Sequence, residues 1–224
     1  DFDSAFQLEG LKGNGQLMTV PLDTDSSSAV LELANTLNQT VSAEVAIYHS
    51  NGGTALHQTT YKLEPHSTYH LIVDSLLDGQ KGIATIKGDK LGSMIATGMH
   101  YRRTETLGIQ NVYGIQAVQA LGTALKGSYN TYLQQGCRLL LVNPTSADAV
   151  ATVSMRRYDG TDVELGRMLA VPAHGLNDYN LCDKDQDNVY GVVTVRPDTP
   201  HTVFASVLRI GENEEYRFPT PVRQ

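Results

Sequence analysis

Two stretches of this chain, Ala29-Val-Leu-Glu-Leu-Ala-Asn35 and Cys137-Arg-Leu-Leu-Leu-Val-Asn143, lie 108 residues apart and share one pattern. Each is a short apolar run that ends in asparagine, as expected of a buried β-strand followed by a turn. A second pair, Gly82-Ile-Ala-Thr-Ile-Lys-Gly-Asp89 and Gly191-Val-Val-Thr-Val-Arg-Pro-Asp198, recurs at an offset of 109. Because the matches keep their order along the chain, the sequence predicts an internal duplication.

Alternating apolar and polar residues predict further strands in each copy. Every second residue is apolar from Val41 to Ile47, and the same alternation runs from Ala149 to Met155. This period of two buries one face of a strand. Asn51-Gly52 and Asp159-Gly160 follow these strands and tolerate positive φ, so each dipeptide predicts a hairpin turn.

We therefore predict an all-β protein with two tandem antiparallel β-sandwich domains of the same fold. The domains span residues 1–113, with an N-terminal arm at 1–15, and residues 128–224. The connecting residues 114–127 include apolar side chains at helical spacing from Ile115 to Leu125, although Gly122 disfavours a helix. A short helix and an extended linker both remain open for this segment.

Composition excludes several classes of function. The chain has 24 acidic and 17 basic residues, for a formal charge of -7, and the basic residues are scattered. A nucleic-acid or anionic-membrane partner would require a concentrated positive surface. The longest apolar runs, such as Leu139 to Val142, fall far short of the roughly 20 residues of a membrane helix. The sequence therefore predicts no membrane span and no nucleic-acid partner.

The cysteines and the first residues point to an extracellular or cell-surface location. The chain begins Asp1-Phe2-Asp3 without methionine, as an exported protein does after processing and as a trimmed chain also does. Its two cysteines, Cys137 and Cys182, both lie in the second half. A single pair within one domain is a candidate disulfide in an oxidising compartment, and two buried thiols are the alternative.

A further resemblance rests on segments of the second half, which the first half repeats in weaker form. The chain resembles repeats of secreted bacterial surface proteins that have immunoglobulin-like or cupredoxin-like sandwiches. The resemblance implies an extracellular fold with a scaffolding or interaction role and brings no catalytic residues. It rests on Leu140-Leu-Val-Asn-Pro144, Ala149 to Met155, Tyr158-Asp-Gly160, Val171-Pro-Ala173, Gly191-Val-Val-Thr-Val195 and Val203-Phe-Ala-Ser-Val-Leu208.

One acidic segment is a weak candidate for a calcium site. Asp183, Asp185 and Asp187 occur at every second position, and carboxylates so spaced can converge on Ca²⁺. An EF-hand loop would have glycine and glutamate where this segment has Asn188 and Thr194. A solvated acidic turn is the alternative, and no other cofactor is expected.

Other catalytic and metal-binding patterns are weak or missing, so we expect that the protein is not an enzyme. His66 and His70 would share zinc on a helix, but on a strand they lie about 13 Å apart. No Gly-x-Ser-x-Gly elbow occurs, and Cys182 lacks the closely following His and Met of a copper site. A pair of carboxylates for glycoside hydrolysis stays open, because the fold rather than the spacing places such residues.

These observations favour a non-catalytic structural or adhesive protein, a subunit of a surface filament, layer or stalk. A carbohydrate-binding module accessory to a secreted enzyme or adhesin is the alternative. Such modules present aromatic faces to sugars, whereas this chain has no Trp and its 11 Tyr are dispersed between both copies.

Self-assembly through strand edges and the N-terminal arm is the predicted mode of association. Ala29 to Leu33 and Gly191 to Val195 carry one charged residue between them, so they would be poorly guarded if they lay at sheet edges. The arm can dock on a neighbouring subunit or fold back on its own domain. Its apolar residues are Phe2, Phe6, Leu8 and Leu11.

Overall fold

The computed structural model describes residues 13–25, 27–103, 108–119, 122–211 and 216–223. The arm residues Phe2, Phe6, Leu8 and Leu11 lie outside this range. The chain divides into two compact units, Asp1–Gln119 and Ala120–Gln224. The division falls inside the segment 114–127 that the sequence suggested as a linker.

The N-terminal unit contains two four-stranded antiparallel sheets, with strand orders β1-β6-β3-β4 and β5-β2-β7-β8. One helical turn, α1, precedes β6. The elements are β1 (Met18–Asp23), β2 (Ser27–Asn35), β3 (Val41–His49), β4 (His57–Leu63), β5 (Thr68–Ile72), α1 (Asp74–Leu77), β6 (Lys81–Gly88), β7 (Met94–Arg103) and β8 (Ile109–Gln116).

The C-terminal unit repeats this topology, because adding eight to each strand number gives its sheets, β9-β14-β11-β12 and β13-β10-β15-β16. Two single 3-10 turns, Tyr132–Gln134 and Cys182–Lys184, lie between consecutive strands. The strands are β9 (Leu125–Asn130), β10 (Gly136–Asn143), β11 (Ala149–Arg157), β12 (Asp162–Val171), β13 (Gly175–Asn180), β14 (Tyr190–Pro197), β15 (Phe204–Ile210) and β16 (Arg217–Pro221). Identical strand orders agree with the predicted all-β fold and its duplication.

The described part of the predicted linker is strand at both ends. β8 continues to Gln116 and β9 begins at Leu125, so both strands extend into the predicted linker. The described residues 117–119 and 122–124 contain no helix. None of the helices in the described part of the chain is long and apolar enough to cross a bilayer.

The alternation seen in the sequence buries one face of each sheet. Leu139 of β10 and Val207 of β15 form a single buried cluster with Val153 of β11 and Val193 of β14, which belong to the facing sheet. Each of these side chains is 0% exposed, and burying one stabilises the fold by about 1.5–3 kcal/mol. The apolar alternation therefore builds the sandwich core.

The structure shows where the two sparsely charged segments lie in their sheets, which the sequence left open. Ala29 to Leu33 lies in β2, between β5 and β7, and Gly191 to Val195 lies in β14, between β11 and β9. Both segments are paired on two sides, so they present no free edge. Their lack of charge reflects burial in the middle of a sheet, where charged residues would be costly.

Candidate functional site

Three exposed tyrosines gather at one end of the sheet that contains β14. Tyr158 follows β11, Tyr190 begins β14, and Tyr132 lies in the turn after β9. The rings of Tyr158 and Tyr190 stack, with centroids 4.7 Å apart and planes 15° apart. Tyr132 lies 6.1 Å from Tyr190 at a tilt of 37°. We call these three residues the tyrosine face.

The side chains of this face are open to solvent. Tyr158 is 64% exposed, Tyr190 46% and Tyr132 42%, and the apolar neighbours Leu133 and Val192 are 77% and 46% exposed. Aromatic rings stacked in parallel are a favourable arrangement, but this much exposed apolar surface at one end of a sheet is unusual for a surface without a partner. The tyrosine face is therefore the candidate binding site of the C-terminal unit.

Strand pairing fixes the position of the two stacked rings. Arg157 pairs with Gly191 across β11 and β14, and the Tyr158 N–H donates to the Tyr190 carbonyl at 3.1 Å. Glycine is required at 191, because a Cβ there would come within 2.2 Å of the Arg156 carbonyl oxygen. The close approach of the two strands brings the neighbouring tyrosines together.

A buried ion pair supports the tyrosine face. The Asp185 carboxylate accepts hydrogen bonds from Arg157 Nε at 2.8 Å, from the Tyr129 hydroxyl at 2.6 Å and from the Gln186 N–H at 2.8 Å. Its side chain is 0% exposed. Because Arg157 and Tyr158 are adjacent, these bonds anchor the backbone at the base of the face.

The pKa shifts of this network follow from its contacts. Burial alone would raise the pKa of Asp185, but hydrogen bonds from Arg157, Tyr129 and the Gln186 N–H outweigh it and hold that pKa below its usual value. Burial and then the hydrogen bond to Asp185 raise the pKa of Tyr129. The ionised carboxylate and the neutral phenol are therefore both stabilised, as a structural pair requires.

The surroundings of the tyrosine face carry negative charge. Arg157 is matched by Asp185, whereas Asp159 directly follows Tyr158 and Asp187 lies three residues before Tyr190 in an exposed turn. The Thr161 N–H donates to Asp159 and lowers its pKa, so Asp159 stays ionised at neutral pH. A ligand of this face would therefore meet aromatic rings beside carboxylates.

A second aromatic cluster lies in the N-terminal unit, on β4 and β5. Tyr61 and Tyr69 lie 4.6 Å apart at a tilt of 35°, and the His57 ring nitrogen and the Tyr61 hydroxyl are hydrogen-bonded at 2.8 Å. Burial, followed by the charge and hydrogen bond of Tyr69, raises the pKa of Tyr61. Tyr69 is 38% exposed, so this cluster offers less open ring surface than the tyrosine face.

The structure shows the surroundings of the cysteines and histidines that the sequence singled out. Cys137 and Cys182 form a disulfide with Cα atoms 5.0 Å apart. His66 occupies a turn with φ of 53°, and His70 lies 3.8 Å from the Glu32 carboxylate on β2. The turn histidine and the strand histidine therefore have separate environments.

The acidic segment is divided between different partners. Asp185 faces inward to Arg157, whereas the exposed Asp183 accepts a hydrogen bond from the Asn180 amide. Within the described ranges, no three His, Cys, Asp or Glu side chains form a group that could hold a metal ion. Calcium binding by Asp183, Asp185 and Asp187 would require Asp185 to leave its present partners.

The sequence did not reveal the tyrosine face, because its members lie 26 and 32 residues apart along the chain. The strand pairing that brings Tyr158 and Tyr190 together is non-local and is not encoded in the repeat pattern. In the structure Arg157 pairs with Gly191 on the adjacent strand, so the residue after one lies beside the residue before the other. Tyr132 depends on a turn with positive φ at Leu133 and Gln134, which strand patterns do not predict.

Comparisons with known proteins do not assign a family. No family model matches the chain, and no curated protein matches it. Among solved structures, the chain is similar to a protein of Parabacteroides distasonis ATCC 8503 described as a "putative secreted protein". That match has 8% identity and a TM-score of 0.24 over 91% of this chain and 83% of the other. Values this low establish neither a shared fold nor a shared function.

Proposed function

We propose that the protein is a non-catalytic extracellular structural or adhesive protein, a subunit of a surface filament, layer or stalk. The observation that carries the proposal is the position of β12 at the edge of its sheet. This strand of 10 residues ends its sheet and pairs only with β11 among the described strands. Leu165 and Met168 on it are 69% and 65% exposed.

An edge strand of this length can accept another strand. Its outer N–H and C=O groups can pair with a second chain, while exposed side chains such as Leu165 and Met168 pack against that chain. Natural monomers usually blunt such an edge with charges or a bulge. Here Asp162, Glu164 and Arg167 carry charge, a bulge lies near Gly166, and the Asn177 amide donates to the Ala170 carbonyl. The stretch around Leu165 and Met168 is therefore the least protected part of this edge.

The perturbed titratable groups support a non-catalytic role. Asp185 pairs with Arg157, and Arg156 with Asp162. Burial and then the hydrogen bond to Glu164 raise the pKa of Tyr179 to about 12. Strongly shifted groups at catalytic sites usually face a cleft, whereas each of these meets a partner within its own unit.

The disulfide supports an extracellular location. Disulfides persist in oxidising compartments and are rare in reducing ones. The resemblance to immunoglobulin-like or cupredoxin-like surface repeats is part of the same proposal, and the duplicated sandwich agrees with it. The alternative function, a carbohydrate-binding module, is favoured by one observation, the exposed tyrosine face.

Sedimentation of the full chain tests the assembly proposal. We expect oligomers at tens of micromolar, and we expect Leu165→Lys with Met168→Lys to shift the protein towards monomer by placing charges on the edge. Leu91→Lys is the matched control, because Leu91 is 75% exposed but lies in a loop. A wild-type protein that remains monomeric at high micromolar concentration would overturn the proposal.

A further inference from the structure

We propose that the tyrosine face binds a neutral polysaccharide, with Tyr158 as the ring on which a pyranose stacks. The inference deepens the adhesive role proposed above and rests on it. It identifies the class of ligand and the residue that makes the main contact.

The geometry of Tyr158 suits a stacked sugar. One face of its ring is backed by Tyr190 at 4.7 Å, while 64% of the residue stays exposed. The axial C–H bonds of a pyranose carry slight positive charge and complement the negative face of a phenol ring. Because Tyr190 and the backbone bond to its carbonyl already order Tyr158, binding loses little side-chain entropy.

Polar groups that can hydrogen-bond hydroxyls flank the rings. The turn before Tyr190 exposes Gln186, Asp187 and Asn188, and Asp159 follows Tyr158. These side chains offer amide donors together with amide and carboxylate acceptors. Sugar sites combine an apolar platform with a few polar groups of this kind, which fix the orientation of the ligand.

Charge selects a neutral ligand over the other candidates. Asp159 and Asp187 would repel uronic acids, acidic peptides and anionic lipids, since Arg157 and Arg156 are already paired with Asp185 and Asp162. Arg209 also lies near this sheet, where it donates to the Ser128 hydroxyl. A second copy docking through the same face would bring these carboxylates against their own equivalents. A neutral sugar has no such repulsion to overcome.

Affinity electrophoresis of the full chain tests the inference. Native gels would contain one of three neutral polymers, hydroxyethyl cellulose, xylan or galactomannan. A further gel would contain polygalacturonate as the acidic comparison. We expect at least one neutral polymer to retard the protein and polygalacturonate not to. We expect Tyr158→Ala to weaken that binding by roughly five- to tenfold and Tyr158→Phe, which keeps the ring, to change it less than about twofold.

Tyr69→Ala is the matched control, because it removes an exposed, ring-contacting tyrosine from the other unit. The inference is overturned if no neutral polymer retards the wild type, or if Tyr158→Ala and Tyr69→Ala bind equally well. It is also overturned if Tyr158→Ala becomes monomeric in sedimentation, which would make the face a self-contact. Unaltered assembly with no polymer binding would reject the ligand and leave the assembly proposal intact.

Discussion

Asn35 and Asn143, at equivalent places in the two units, share three equivalent hydrogen bonds. In each, the amide donates to the backbone carbonyls 4 and 28 residues further along, at 2.8 and 3.1 Å. The amide oxygen accepts from the N–H two residues on, at 2.8 Å in one unit and 2.9 Å in the other. Both residues are buried, so each asparagine ties the end of its strand to the turn that follows it and to the end of a later strand, β4 or β12.

Replacing either asparagine by alanine is expected to destabilise its own unit by about 2–3 kcal/mol, because buried carbonyls lose their donors. Chemical denaturation of Asn35→Ala and Asn143→Ala measures this loss. Asn177→Ala is the control, since that amide makes a single exposed hydrogen bond to the Ala170 carbonyl. If Asn143→Ala proved as mild as the control, the asparagine bonds would not stabilise the fold.

The disulfide of the C-terminal unit has a polar counterpart in the N-terminal unit. Leu181 N–H donates to the Cys137 carbonyl, and Val73 N–H donates to that of Ala29, both at 3.0 Å. By this register Ala29 corresponds to Cys137 and Asp74 to Cys182. In place of a disulfide, the Asp74 carboxylate accepts from the Ala29 N–H at 2.7 Å.

The combined change Ala29→Cys and Asp74→Cys is therefore expected to form a second disulfide. Because it would close a loop of the native size, we expect a gain of about 2 kcal/mol in the unfolding free energy of the N-terminal unit. Thiol labelling under denaturing, non-reducing conditions checks bond formation, and reduction of the same variant is the stability control. Two freely labelled cysteines would show that the units are not equivalent here.

The buried carboxylate Asp185 predicts a dependence of stability on pH. Its pKa is lowered in the folded state, so its contribution is complete above the unfolded carboxyl pKa near 4 and is lost as pH falls through the folded value. We expect Asp185→Asn to cost about 2 kcal/mol at pH 7. Denaturation at pH 7 and pH 3 should show the gap between variant and wild type narrowing in acid, and a constant gap would contradict this account.

Millimolar Ca²⁺ is expected to raise the melting temperature by no more than about a degree, because Asp185 is committed to Arg157 and Tyr129. Thermal melts with calcium and with a chelator provide the measurement. A rise of several degrees that disappears in Asp187→Ala would instead establish a calcium site in this turn. Asp25→Ala, which removes an exposed aspartate from the other unit, is the control for general charge effects.

The fold was predictable because the duplication repeats every local signal. Alternation marked β3 and β11, and the following dipeptides marked their hairpins, where Gly52 and Gly160 have φ of 76° and 88°. The position of each strand within its sheet was not predictable, since it depends on non-local pairing. The sequence therefore left open whether Ala29 to Leu33 lies at an edge, and the structure places it in the middle of a sheet.

The candidate site was less predictable for a related reason. The tyrosines of the face have no counterparts in the other unit, where Lys81 occupies the place of Tyr190 and Ser50 that of Tyr158. Comparing the copies reveals what they share, which is the scaffold. A site carried by one copy emerges only when the strand register brings distant residues together.

The disulfide also determines how the two units would respond to a pulling force. Cys137 and Cys182 are 45 residues apart, and a covalent link between them keeps the intervening strands from extending even after the C-terminal unit opens. At about 3.4 Å per residue, the link withholds roughly 150 Å of contour length. The N-terminal unit has a hydrogen bond at that place and would release its full length. In a subunit under tension, the C-terminal unit would therefore extend less than the N-terminal unit.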